Sequence, residues 1–263
     1  MFEPHGFSFF TAMKITTMQF DSTQQDKQKW AEFHSTEFAK KQMQLKRMMQ
    51  ADLIKAIDEL AEVEISNAKR IELLKGSLID SISDNKRQII ESGIVKYESL
   101  TIVANKVSEI YLMLLDMYTY GTYCMLANDE WDWRAFARHF YTIIKEHPKT
   151  VNSQLNDIVR ILRSEIEKEY DLTNLIRAKK EFSSFIESNT QFANLIRVNV
   201  DAHFDGAFDE RLKLIQGLSY YSFIELYYTY TSNMHEFLSE LRPALVEFRR
   251  SADVFFYGRI IVK

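Results

Sequence analysis

Residues 95–126 read VKYESLTIVANKVSEIYLMLLDMYTYGTYCML, and this stretch decides the fold. Tyr97, Leu100, Val103, Val107, Ile110, Tyr111, Leu114, Met117 and Tyr118 recur at three- and four-residue intervals, the period of an α-helix and not the alternation of a strand. Ile102, Leu115 and Tyr120 stand off that row, so the helix is apolar on several sides. Such a helix belongs in the centre of a bundle, with neighbours around it.

The same period extends outward in both directions. Towards the N-terminus, Trp30, Phe33, Met43, Met49, Leu53, Ile57 and Leu60 predict a long helix from Ser22 to about Ser66, with Asp21-Ser22-Thr23 supplying its N-cap. Arg70–Ser81 and Asn85–Ser92 continue it, with Gly76 and Gly93 as the expected interruptions. Towards the C-terminus, Asn128-Asp129 caps a helix carrying Trp131, Trp133, Phe136, Phe140 and Ile143, expected to close at His147-Pro148. Further helices are expected over Asn152 to about Tyr170, Leu172–Val200 and Asp209–Leu241, the last ended by Pro243. The flanks, 7–20 and 254–262, are rich in Phe, Ile, Thr and Val and are expected to form short terminal β-strands. The reading is an all-α, multi-helix bundle in a single helical domain over 1–263. N-terminal helices fill 22–170, and the segment bearing the chemistry lies within 171–250.

Composition sets the limits. The chain has 263 residues, 46% of them hydrophobic, with only 7 Gly and 3 Pro. One large core is expected, with no internal linker. A net charge of -4 and a pI near 5.9 exclude a protein that coats nucleic acid by bulk electrostatics, so any such contact must be local. The lone Cys124 excludes an intramolecular disulfide framework and a cysteine-based zinc site, and fits a reducing cytoplasm. No run approaches the roughly 18 consecutive apolar residues of a membrane span, and the N-terminus does not read as a signal peptide.

Catalytic residue types crowd together at one place, Asn194-Leu195-Ile196-Arg197-Val198-Asn199-Val200-Asp201-Ala202-His203-Phe204-Asp205. Arg197 is a permanent cation and His203 titrates near neutral pH, with Asn199 and Asp201 between them. A guanidinium that holds a phosphate beside an imidazole that moves protons is equipment for breaking a phosphodiester without a metal. The plainer reading is a helix-capping cluster in which Asp201 or Asp205 accepts backbone hydrogen bonds.

Ile196-Arg197-x-Asn199-x-x-Ala202-His203-x-Asp205 resembles the arginine-to-histidine signature of the HEPN superfamily of small helical proteins, over about Asp171 to Leu241. The resemblance implies an HEPN-like bundle and a metal-independent endoribonuclease of a toxin or phage-defence type, without cofactor. Arg197 would grip the scissile phosphate, His203 would act as general base or acid, and Asn199 would orient one of them, with Asp201 beside the substrate. The attacking group would be the adjacent ribose 2'-hydroxyl, which restricts the activity to RNA. The implied partners are RNA, a second copy of the chain in a homodimer that brings the two motifs together, and an antitoxin or other defence-system protein. Val198 stands where many members of that family carry a polar residue. The alternative is therefore a catalytically silent helical binding or scaffold protein with the same fold.

A second arginine-to-histidine segment, Arg134 to His139, lies inside a helix. Phe136 and Phe140 read as core and Arg138 with His139 as a polar pair, either exposed or lending a second cation to the substrate site. Metal chemistry is poorly supported, since His34 and Glu37 make only a two-ligand pair and no glycine-rich phosphate loop occurs. The tyrosines from Tyr220 to Tyr230 are split between core and interface, or offered to nucleobases for stacking.

Overall fold

The computed structural model of the chain describes residues 28, 31, 36–79, 83–127, 129–196, 213 and 215–259. Five long helices account for almost all of them: α1 Thr36–Ile79, α2 Asp84–Met125, α3 Glu130–Ile166, α4 Thr173–Ile196 and α5 Tyr220–Arg259. Among the described residues there is no strand. The all-α bundle expected from the periodicity is therefore what forms. The segment 7–20 lies outside the described residues. The expectation of a strand over 254–262 is corrected for its described part, because α5 stays helical through Arg259. Apolar, β-prone residues there extend a helix already under way, which needs no new nucleation.

The helix boundaries follow side-chain capping more than glycine or proline content. Gly76 and Gly93, expected to interrupt, lie inside α1 and α2. A mid-helix glycine costs only about 1 kcal/mol, and the buried Ile90, Tyr97 and Leu100 on the same helix outweigh that. The break falls instead between α1 and α2, where Ser83 caps the next helix by accepting from the Lys86 N–H. Asp129 begins α3 as expected, accepting at 2.8 Å from the N–H of both Trp131 and Asp132. Asp171 accepts from the Thr173 N–H at the start of α4.

His147-Pro148 does not close α3, which continues through residues 147–149 to Ile166. Proline removes one intrahelical hydrogen bond, whereas Ile144, Val151 and Leu155, all buried on either side of it, keep both halves of the helix on one core. Pro243 likewise sits inside α5. Leu238 and Leu241 before it and Ala244 and Phe248 after it are buried in a single continuous surface.

Consecutive helices pack in order, and α2 and α3 both also meet α5. The central place expected for residues 95–126 is occupied by α2, which touches α1, α3 and α5. The core is aromatic where α3, α4 and α5 converge. Phe140 meets Phe223 edge-on at 4.9 Å between ring centroids, Trp133 meets Tyr220 at 5.1 Å, and Phe182 meets Tyr230 at 5.2 Å. Tyr220, Phe223, Tyr227 and Tyr230 are all buried, so these rings are core and not a stacking platform. Gly121 of α2 lets the Tyr227 ring approach so closely that a Cβ there would overlap it.

Candidate functional site

The residues from Arg197 to His203 fall in the sequence between Ile196, the last described residue of α4, and α5, whose first turn is capped by Ser219. Arg197, Asn199, Asp201 and His203 lie outside the described residues. The structure does describe the two helices that flank them in sequence. Between the last turns of α4 and the first turns of α5 an open cleft of ≈ 690 Å³ is lined by Phe185, Asn189, Tyr221, Ser222, Glu225 and Tyr228, among others. Asn189 donates to the Phe185 carbonyl at 2.8 Å and to the Ser188 hydroxyl at 3.1 Å, which fixes its carboxamide along the helix. A hydrogen bond to Glu225 raises the Tyr221 phenol above its ordinary pKa. Among the described residues no cation lines this cleft. Any phosphate held here needs its positive charge from residues other than these.

Arg138 and His139 share a helix but not a direction, since consecutive helical residues point about 100° apart. His139 is exposed and lies beside Tyr120 of α2, with ring centroids 5.9 Å apart. Arg138 is half-buried, with its Nε out of solvent. Arg134 is 1% exposed and belongs to the start of α3: it donates to the Glu130 carbonyl at 3.0 Å, pairs with the Glu130 carboxylate at 3.2 Å, and covers the Trp133 ring at 4.6 Å. A guanidinium so enclosed anchors a helix start.

No family model matches this chain, and no curated protein or solved structure matches it either.

Two further polar clusters join helices far apart in sequence. Tyr118 of α2 is hydrogen-bonded to the Nε2 of His235 in α5. Burial lowers the His235 pKa and raises that of Tyr118, which favours the uncharged form of each. They line a ≈ 220 Å³ pocket with Lys46, Thr122, Tyr227 and Ser232, among others. Lys46 is 8% exposed yet places its ammonium over the Tyr123 ring at 4.2 Å, so its stem fills space while its charge turns towards an aromatic face. At the other end of the bundle, Arg70 of α1 and Tyr97 of α2 both donate to Asp253 of α5. Burial pushes the Tyr97 phenol up to about 12. Sequence reading missed both clusters because each is closed by an α5 residue 117 to 183 positions from its partners. No local spacing announces them.

Cys124 is fully buried, which raises its thiol pKa well above the ordinary value and leaves it a packing residue. Among the described residues no group of three or more His, Cys, Asp or Glu is placed to hold a metal ion. Among them, too, no helix is long and apolar enough to cross a membrane.

Proposed function

We propose that the protein is a metal-independent endoribonuclease, with Arg197 holding the scissile phosphate, His203 transferring protons and Asn199 orienting one of them. The observation that carries this reading is the grouping of Arg197, Asn199, Asp201 and His203 within seven residues between α4 and α5. The cleft between α4 and α5 gives an RNA strand room to lie, and Asp201 lines it in this reading. The half-buried Arg138 is a candidate second cation, whereas the exposed His139 would touch only substrate that extends past the α2–α3 edge. Action in a cytoplasmic toxin or defence setting, with an antitoxin-like protein partner, rests on the HEPN resemblance alone.

The test is cleavage of a labelled single-stranded RNA by the full chain in EDTA. His203→Ala and Arg197→Ala should each reduce the rate by about a hundredfold or more with thermal stability nearly unchanged. The product should end in a 2',3'-cyclic phosphate, and DNA of the same sequence should stay whole. Equal activity in wild type and His203→Ala would remove this site from the reading.

One observation favours the alternative, a catalytically silent binding or scaffold protein. The described cleft offers a carboxylate at Glu225 and no cation, on a chain whose net charge is -4. In that case wild type cleaves nothing, and the same substitutions merely loosen a helix end by about 1 kcal/mol.

A further inference from the structure

The α1 and α5 helices flank α2 and leave a groove of ≈ 370 Å³ between them. Its floor is Leu100, Ala104 and Val107 of α2, and its apolar walls are Leu60 and Val63 of α1 and Leu241 and Leu245 of α5. The groove is open to solvent on its α5 edge, where Val246 is 64% exposed. An apolar channel of this kind is what remains when a bundle lacks one helix.

The charges along the two edges carry the argument. Asp52 and Glu59 stand seven residues apart on the α1 edge, with Lys55 between them, and Arg242 and Arg249 stand seven apart on the α5 edge. Seven residues are two helical turns, about 10.5 Å, so each edge repeats its charge in the register of a coiled-coil heptad. Among the described residues Asp52, Arg242 and Arg249 make no salt bridge. Glu59 has only an exposed contact to Lys55 on its own helix, at 3.8 Å. Tyr111 lines the groove half-buried, within reach of the fields of both Arg242 of α5 and Glu59 of α1. The Arg70 to Asp253 contact ties α1 to α5 beyond one end and holds the walls in place without an occupant.

From this arrangement we propose that the groove receives an amphipathic α-helix of a second protein. Its apolar seam packs on Ala104 and the leucines, acidic residues at heptad spacing lie along Arg242 and Arg249, and basic residues lie along Asp52 and Glu59. A fatty-acid-like anion is a poorer fit. It brings one charge to two arginines about 10.5 Å apart, and it leaves Asp52 and Glu59 on the opposite edge unmatched. A helix with one acidic and one basic flank satisfies both edges at once.

Three labelled, stapled helical peptides with the same leucine seam provide the test, their flanks being Glu/Lys, Lys/Lys and Glu/Glu. Titrated with the full chain and followed by fluorescence anisotropy, the Glu/Lys peptide should bind at least about tenfold tighter than either other. The double variant Arg242→Glu/Arg249→Glu makes both edges acidic, so the Lys/Lys peptide should become the tightest. Both arginines are exposed, and an unchanged circular dichroism melt confirms that the variant folds. The proposal is overturned if no peptide binds at about 100 µM, if all three bind alike, or if the double variant keeps the wild-type order. It is equally overturned if that variant converts a dimer to a monomer in light scattering, since the groove would then belong to a second copy of this chain. RNA cleavage plays no part in these readouts.

Discussion

At Gly121 one missing methyl group decides how closely α2 and α5 pack. A Cβ at this position would overlap the Tyr227 ring, and that ring has little freedom to retreat. It is 4% exposed and meets Tyr118, Phe140 and Phe223. Overpacking of this kind costs about 1–3 kcal/mol, against a gain in helix propensity of about 1 kcal/mol or less. Gly121→Ala should therefore lower the urea midpoint with an unchanged slope. Gly76 supplies the contrast, since nothing lies within 4 Å of a Cβ added there. Gly76→Ala should raise the midpoint by the propensity difference alone, about 0.5–1 kcal/mol. A Gly121→Ala protein as stable as wild type would mean that the two helices are not packed this closely.

For whole elements, the period of three to four apolar residues was enough to read the helices, because burial of one face is written locally in the sequence. Their ends were less legible. Asp129 was recognisable as a cap because its carboxylate serves its own neighbours. Pro148 and Pro243 were misread as stops, because what carries each helix past its proline is packing against residues distant in sequence. The continuation of α5 has a measurable cost: without an N–H at Pro243, the carbonyl of Ser239, four residues earlier, loses its helical partner. Pro243→Ala restores that bond in a position already helical and exposed. It should stabilise the protein by about 1–3 kcal/mol, or about 2–4 °C in melting temperature per kcal/mol for a chain of this size. A melting temperature that stays level or falls would show that α5 depends on the proline at this point.

Across the molecule, the Arg197 to His203 grouping was legible because its members are sequence neighbours, whereas the Tyr118 to His235 contact was not, since only folding joins α2 to α5. An Arg/His pair alone makes a sparse catalytic site, which is the physical reason to expect a homodimer that sets two copies face to face. The 263-residue chain should then sediment at about twice its 31.1 kDa mass. A sharper consequence concerns where each site draws its residues. If Arg197 of one protomer works with His203 of its partner, a heterodimer of an Arg197→Ala chain and a His203→Ala chain contains one site with both residues intact and one with neither. Random mixing makes about half of the dimers mixed, each with one working site of two, so RNA cleavage should recover to about a quarter of the wild-type rate from two inactive proteins. Sites completed within a single chain predict no recovery, because every chain in the mixture lacks one residue. Mixing the two variants after co-refolding, and comparing the cleavage rate with either alone, separates these cases. A monomeric sedimentation coefficient together with full wild-type cleavage would leave the dimer no role in the chemistry.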